Sequence, residues 1–233
     1  MKKNDYKLIV NNLINTFKEA GELSILLRKK GLIKKIKSDN TPVTNGDIEV
    51  NNLLIEKIKK ISPEYPIISE EMAGNKYNEN LNNFWLIDPI DGTYDYINNK
   101  DEFTLNAALI INKSPLLGII YAPSKKRLFY TYGLGKSFEI SNGNTIEINC
   151  KKKTNKGEIK AVSYSNILKP EILKIHKKYG VTNHLKMKSS LKFCVIATGE
   201  FDIYVAEPRA CEWDIAAGHA ILKNAGGIIT DFN

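Results

Sequence analysis

Between residues 5 and 29 apolar side chains recur at helical spacing: Leu8, Ile9, Leu13, Ile14, Phe17, Ala20, Leu23 and Leu26. Steps of three and four place them on one face of an α-helix. Pro42 interrupts the next stretch. From Asp47 a second helix carries Val50, Leu53, Leu54, Ile58 and Ile61 and stops before Pro63. PIIS (66–69) and FWLID (84–88) read as short strands. FTLNAALII, LLGIIYA and RLFYTY read as three consecutive strands joined at NKSP and PSKK. The expectation here is two helices on a mainly antiparallel sheet.

The pattern then changes. NGN (142–144) reads as a turn and CKKKTNKG (150–157) as an exposed linker. Beyond it strand and helix alternate: IKAVSYS, PEILKIHKKYG, HLKMK, SSLKFCVIATG, FDIYVA, DIAAGHAILKNAG and GIITDF. Such alternation predicts an α/β half with parallel pairing. The division is an α+β half over residues 1–145 and an α/β half over 146–233, with a crevice for a ligand between them.

Composition narrows the function classes. No apolar run approaches the roughly 20 residues that span a bilayer, so no transmembrane segment is expected. The N-terminal MKKNDYKLIVNNL lacks the apolar core of a signal peptide. The expected location is the cytoplasm, with room left for peripheral membrane association and for a homodimer. Net charge is +8, which first suggests nucleic acid. Yet the arginines are only Arg28, Arg127 and Arg209, and the lysines scatter along the whole chain. The expectation is no nucleic-acid polymer but a field that draws in small anions. Cys150, Cys194 and Cys211 fit no zinc or disulfide spacing and are expected as reduced, mostly buried thiols. His176, His184 and His219 suggest no metal-binding pair. No G-x-S-x-G, P-loop or G-x-G-x-x-G is present.

The acidic residues carry the chemistry. Asp47 at a helix start reads first as a cap, Glu70-Glu71 as a solvated pair, and Asp214 as a favourable acid in a first helical turn. WLIDPIDGTYDYI (85–97) resists such readings. Asp88 closes an interior strand, and Pro89 is expected to turn the chain sharply and bring Asp91 back beside it. With the Ile90 carbonyl they form an all-oxygen site suited to Mg2+, whose charge offsets their repulsion. Gly92 and Thr93 amides could then approach phosphate oxygens.

Asp47, Glu70-Glu71, Asp88-Pro89-Ile90-Asp91-Gly92-Thr93, Trp213-Asp214 and Gly226-Gly227 together resemble the lithium-sensitive, Mg2+-dependent phosphatases related to inositol monophosphatase. SDNTPVTNGD, EFTLNAALI, GIIYAP and CEWDIAAGHAIL look like the CysQ branch, the 3'(2'),5'-bisphosphate nucleotidases. The resemblance implies a layered αβαβα sandwich and two or three Mg2+ per site. One would be held by Glu70, Asp88 and the Ile90 carbonyl, a second by Asp88, Asp91 and Asp214. Thr93, paired with Asp47, would orient and deprotonate the attacking water. Glu70, Ile90, Asp91, Gly92, Thr93 and Asp214 would also surround the scissile phosphate, with Glu71 in support. The chain ends soon after the glycine pair, where relatives continue, but every metal-ligand position is retained.

Ser189-Ser190 open a helix with Lys192 in its first turn. By residues alone, a serine cap with a solvated lysine and a seat for a second phosphate weigh equally; the resemblance favours the seat, with Arg209 as a weaker anion contact. Phe193, Cys194 and His219 read as packing residues. The implied reaction removes the 3'-phosphate of 3'-phosphoadenosine 5'-phosphate. The alternatives are inositol-1-phosphate or sugar-phosphate hydrolysis, and a basic, metal-stabilised binding protein. Millimolar lithium is expected to inhibit.

Overall fold

The computed structural model describes residues 3–72, 81–150, 158–207 and 210–231. Arg209 and most of the expected linker (151–157) lie outside the described residues.

The two N-terminal helices are α1 (Lys3–Lys30) and α2 (Asn45–Ile61), with a small antiparallel hairpin between them, β1 (Lys34–Ile36) and β2 (Pro42–Thr44). Thr44 is the cap of α2. Its hydroxyl accepts from the Gly46 and Asp47 amides while the Asp47 carboxylate accepts from the Thr44 amide. Asp47 is therefore the third helical residue, closing a capping box with Thr44, rather than the cap itself. The Thr44-x-x-Asp47 spacing is its mark in the sequence.

A seven-stranded sheet follows in the order β3 (Ile67–Ser69), β4 (Phe84–Asp91), β5 (Thr104–Ile111), β6 (Ser114–Ala122), β7 (Arg127–Thr131), β8 (Ser137–Ser141) and β9 (Asn144–Ile148). Only β3 and β4 pair in parallel, so the mainly antiparallel expectation holds. The sequence reading stopped one hairpin short, at β7. The outermost strand, β9, is exposed at four of its five positions, so it lacks the half-buried alternation that marks a strand.

The described C-terminal portion holds a three-stranded parallel sheet, β10 (Ala161–Ser163) between β11 (His184–Lys186) and β12 (Ile203–Tyr204). Its helices are α4 (Pro170–Lys178), α5 (Leu191–Ala197) and α6 (Glu212–Asn224); the five-residue α3 (Thr93–Ile97) follows β4. GIITDF forms no strand over its described residues: Ile228 is 85% exposed and has no ladder to join.

One core lies between α1, α2 and the large sheet and contains Phe17, Leu54, Trp85, Ile87, Leu105 and Leu109. The second, on the opposite face, joins Leu86, Ala108, Ile110 and Ile120 to Leu191, Cys194, Ala217 and Ile221 of α5 and α6. The layers run α1/α2, large sheet, α5/α6, small sheet, α4, which is the αβαβα sandwich. A Cβ on Gly118 of β6 would sit 2.5 Å from the Ala217 carbonyl oxygen, so the missing side chain lets α6 rest directly on the sheet. Among the described residues no helix is long and apolar enough to cross a membrane.

His176 and His184, remote in sequence, bring their rings to 5.9 Å when α4 packs on β11, an aromatic contact. The expectation for the cysteines fails in part. Of the three free thiols Cys194 is buried, Cys150 is half-buried and Cys211 is exposed.

Candidate active site

Two aspartates three apart on a regular strand would point to opposite faces. Here they do not, because the ladder slips. Asp88 opposes Asn106 and Asp91 opposes Thr104, so three steps on β4 match two on β5. The extra residue is a bulge, a device that re-aims a side chain. The chain does not turn sharply at Pro89, as expected; it stays extended to Asp91 and turns at Gly92, whose φ is 97°. A Cβ there would meet the Glu102 carbonyl oxygen at 3.0 Å.

Asp88 is 1% exposed, and neither of its oxygens meets a hydrogen-bond donor among the described residues. Its contact with Asp214 sets one carboxylate against another, which only a shared proton or a cation reconciles. Burial, then Glu70, Asp91 and Asp214, hold the Asp88 carboxyl well above the usual carboxylate range. One oxygen from each of Asp88, Asp91 and Asp214 lies within 4.8 Å of the others. Burial and then Asp214 push Asp91 up to about 7, against the opposing pull of Lys192 and the Ser190 amide. Asp214 is also raised, chiefly by burial.

Asp214 repeats the arrangement of Asp47. It is the third residue of α6, and its Oδ2 accepts the Cys211 amide at 2.8 Å. Asp47 Oδ2 accepts the Thr44 amide at 2.7 Å, leaving Oδ1 to accept from the Thr93 hydroxyl at 3.1 Å. Both acids thus end a helix and face the site, so cap and site roles do not compete. Burial raises Asp47 despite its hydrogen bonds. The Ile90 carbonyl lies 3.1 Å from Thr93 Oγ1, while the Ile90 side chain is buried in the α1/α2 core.

β3 runs parallel to β4 with Ser69 opposite Ile87, so Glu70 emerges beside Asp88. Glu70 acts on the charge of both Asp88 and Asp214 but stands apart from their close trio. Lys37, beside the β1–β2 hairpin, bridges Glu70 at 2.9 Å and Glu71 at 3.0 Å. Lys37 itself is raised: burial pulls it down, but the two carboxylates outweigh that. Glu71 is pushed up to about 7 by burial, partly offset by Lys37. Glu70 and Glu71 are therefore ion-paired and half-enclosed, not a solvated pair. Nothing in a lysine-rich sequence singles out Lys37.

Ser190 and Lys192 reach the same region, and the reading of a serine cap with a solvated lysine does not hold. Ser190 precedes α5 without a side-chain cap bond; its hydroxyl lies 2.7 Å from Asn106 Oδ1 and 2.8 Å from Thr104 Oγ1, and its amide donates to Asp91. Lys192 is 5% exposed; its Nζ donates to the Ser189 carbonyl and lies 5.1 Å from the Tyr204 ring centre. A polar Asn106 within an apolar strand was the available signal for this network, and it went unread.

The donor set fits a hard divalent cation: buried oxygens, two of them unpartnered, with net negative charge. Comparison with known proteins identifies the family. The profile described as Inositol monophosphatase family matches residues 6–233. The curated 3'(2'),5'-bisphosphate nucleotidase CysQ of Buchnera aphidicola is 36% identical over 96% of this chain and 84% of its own length. That of Escherichia coli K12 is 32% identical over 84% and 78%. Among solved structures, CysQ from Bacteroides thetaiotaomicron superposes with a TM-score of 0.71 at 29% identity, covering 92% of this chain and 85% of its own. An IMPase of Thermotoga maritima gives 0.77 at 25%, covering 96% and 85%. A family profile that spans residues 6–233, with relatives above 30% identity over most of the chain, leaves one conclusion: the chain belongs to the inositol monophosphatase family.

Proposed function

We propose that this phosphatase hydrolyses the 3'-phosphate of 3'-phosphoadenosine 5'-phosphate to AMP and phosphate with the help of Mg2+. The observation that carries the reading is Asp88, buried with two unpartnered oxygens beside Asp91 and Asp214. Asp88, Asp91, Asp214, Glu70 and the Ile90 carbonyl would hold two or three Mg2+. When bound, the cations supply charge neutralisation for the phosphate and acidify a water. Asp47 accepts the Thr93 proton, which leaves a Thr93 lone pair to receive one from the attacking water. Gly92, free of a side chain, lets the amides of the turn approach the scissile phosphate. Ser190 and Lys192 form the seat for the second phosphate, and the charge of Lys192 already bears on Asp91 and Asp214. In this reading residues 1–145 supply most ligands, and residues 146–233 supply Asp214 and the specificity elements.

The branch is supported by the identity of the CysQ relatives over most of the chain. Inositol-1-phosphate hydrolysis is the second reading, favoured by the higher TM-score to the Thermotoga IMPase. Phosphate release from the two substrates, with and without EDTA, decides. Faster turnover of inositol phosphate would reverse the assignment of substrate, and EDTA-resistant turnover would remove the metal.

A further inference from the structure

Asn106 is the one amide in β5, a strand otherwise made of apolar residues and Thr104, and it is 1% exposed. Directly opposed residues of an antiparallel pair share a face, their Cβ atoms about 4.5–5.5 Å apart. Asn106 opposes Asp88 on one side and Ile120 on the other, so its carboxamide lies on the α5/α6 face beside the acid trio. Its two ends are used differently. Oδ1 accepts from the Ser190 hydroxyl at 2.7 Å, and that hydroxyl is braced by Thr104 at 2.8 Å. Nδ2 is enclosed and has no partner among the described residues. Asp88 and Asn106 do not satisfy one another, since both Asp88 oxygens are unpartnered too.

An enclosed N–H without an acceptor is costly, and an apolar residue of the same volume would avoid that cost. An amide N–H cannot ligate a cation; it serves an oxygen. The oxygens of the neighbouring trio would be taken up by a cation and none of them accepts from Nδ2 here, so Nδ2 remains a donor for an oxygen of a bound anion.

We propose that Asn106 is a substrate-contacting residue whose Nδ2 donates to an oxygen of the phosphate bound at the Asp88–Asp91–Asp214 cluster. Ser190 and Thr104 fix which end of the carboxamide faces the site. The inference rests on the phosphatase reading but not on the choice of nucleotide, and inorganic phosphate is therefore the probe.

The test compares full-length wild type with Asn106→Leu, equal in size and without the donor, in saturating Mg2+. Inorganic phosphate affinity is followed by 31P NMR titration, Mg2+ binding by the shift in Tm, and turnover by kcat and KM. A lost hydrogen bond to a charged oxygen predicts phosphate binding about tenfold weaker, KM raised by a similar factor, and an unchanged Mg2+-induced shift. Wild-type phosphate affinity in folded Asn106→Leu overturns the proposal, as does loss of the Mg2+ shift, which would make the residue a support of the cation site. Should the leucine variant not fold, Asn106→Asp takes its place. It keeps the acceptor for Ser190 and turns the donor into a repelling oxygen, so weaker phosphate binding again supports the contact and unchanged binding refutes it. A wild-type enzyme that binds phosphate but leaves the nucleotide intact would refute the substrate assignment and leave Asn106 in place.

Discussion

The Thr93 hydroxyl lies 3.1 Å from Asp47 Oδ1, although 46 residues separate them in sequence. A hydroxyl has one proton to give, and here two acceptors compete for it, Asp47 and the Ile90 carbonyl at 3.1 Å. When Asp47 takes it, the Thr93 oxygen is left as an acceptor toward a water. Thr93→Ala and Asp47→Asn are therefore expected to lower kcat by about 10²–10⁴-fold, the usual range for a positioned proton acceptor. Asp47→Asn also disturbs the α2 capping box, so Thr93→Ala is the cleaner variant. A kcat for Thr93→Ala within threefold of wild type would remove the pair from the reaction.

Asp88→Asn removes a carboxyl that, without a cation, must either hold an uncompensated buried charge or take up a proton. In EDTA the variant is expected to melt higher than wild type, by about 2–4 °C for each kcal/mol of repulsion relieved. In Mg2+ the order reverses. Wild type gains about 2.7 kcal/mol when free Mg2+ is a hundredfold above its Kd, and the variant, lacking the central ligand, gains little. Calorimetric scans of both proteins in both buffers read this directly. A variant that melts lower than wild type in EDTA would mean the Asp88 carboxylate is stabilised by something other than a cation.

Asp88 and Asp91 stood out in the sequence as charges closing an interior strand, whereas Asp47, Glu70 and Asp214 read by themselves as a cap, part of a solvated pair and a first-turn acid, and only the family resemblance drew them to the site. The reason Asp88 and Asp91 meet was not legible: a sharp turn at Pro89 was expected, and a one-residue slip against β5 does the work. Register is a property of two strands, and neither strand alone encodes it. The same limit hid the Lys37 bridge to Glu70 and Glu71 and the Ser190–Asn106 bond, which join residues 33 and 84 apart. In the fold, the amphipathic helices and buried strands were plain, whereas β8 and β9 at the sheet edge were missed and the strand expected at GIITDF (227–232) does not form over its described residues.

Stability in the absence of metal should depend on pH in an unusual direction. Asp91 and Glu71 are raised to about 7 from 3.8 and 4.5, and Asp88 is raised well above 3.8. A carboxyl with a higher pKa folded than unfolded binds its proton more tightly in the native state. Its contribution is complete below the unfolded value and is lost as pH rises through the folded one. Tm in EDTA is therefore expected to fall from about pH 4 to pH 7, most steeply midway between the unfolded and folded values, and to level off above about pH 8. Saturating Mg2+, which needs the deprotonated oxygens, should flatten that fall, and Mg2+ affinity should weaken below pH 7. A Tm that rises with pH in EDTA contradicts the account.

Lys37 supplies the positive charge that Glu70 and Glu71 meet in the metal-free fold, with both ion pairs near 3 Å and the Glu71 side chain only 4% exposed. Lys37→Met leaves two adjacent carboxylates with each other. In EDTA the loss is expected to be about 1–2 kcal/mol, between the values for exposed and buried pairs. A cation held by Glu70 replaces part of what Lys37 provides, so the loss should shrink in Mg2+. The ratio of the two losses, from urea unfolding in EDTA and in Mg2+, tests whether Glu70 belongs to the cation site. Equal losses in both buffers would make Glu70 a partner of Lys37 alone, and the ligand set would reduce to the three aspartates and the Ile90 carbonyl.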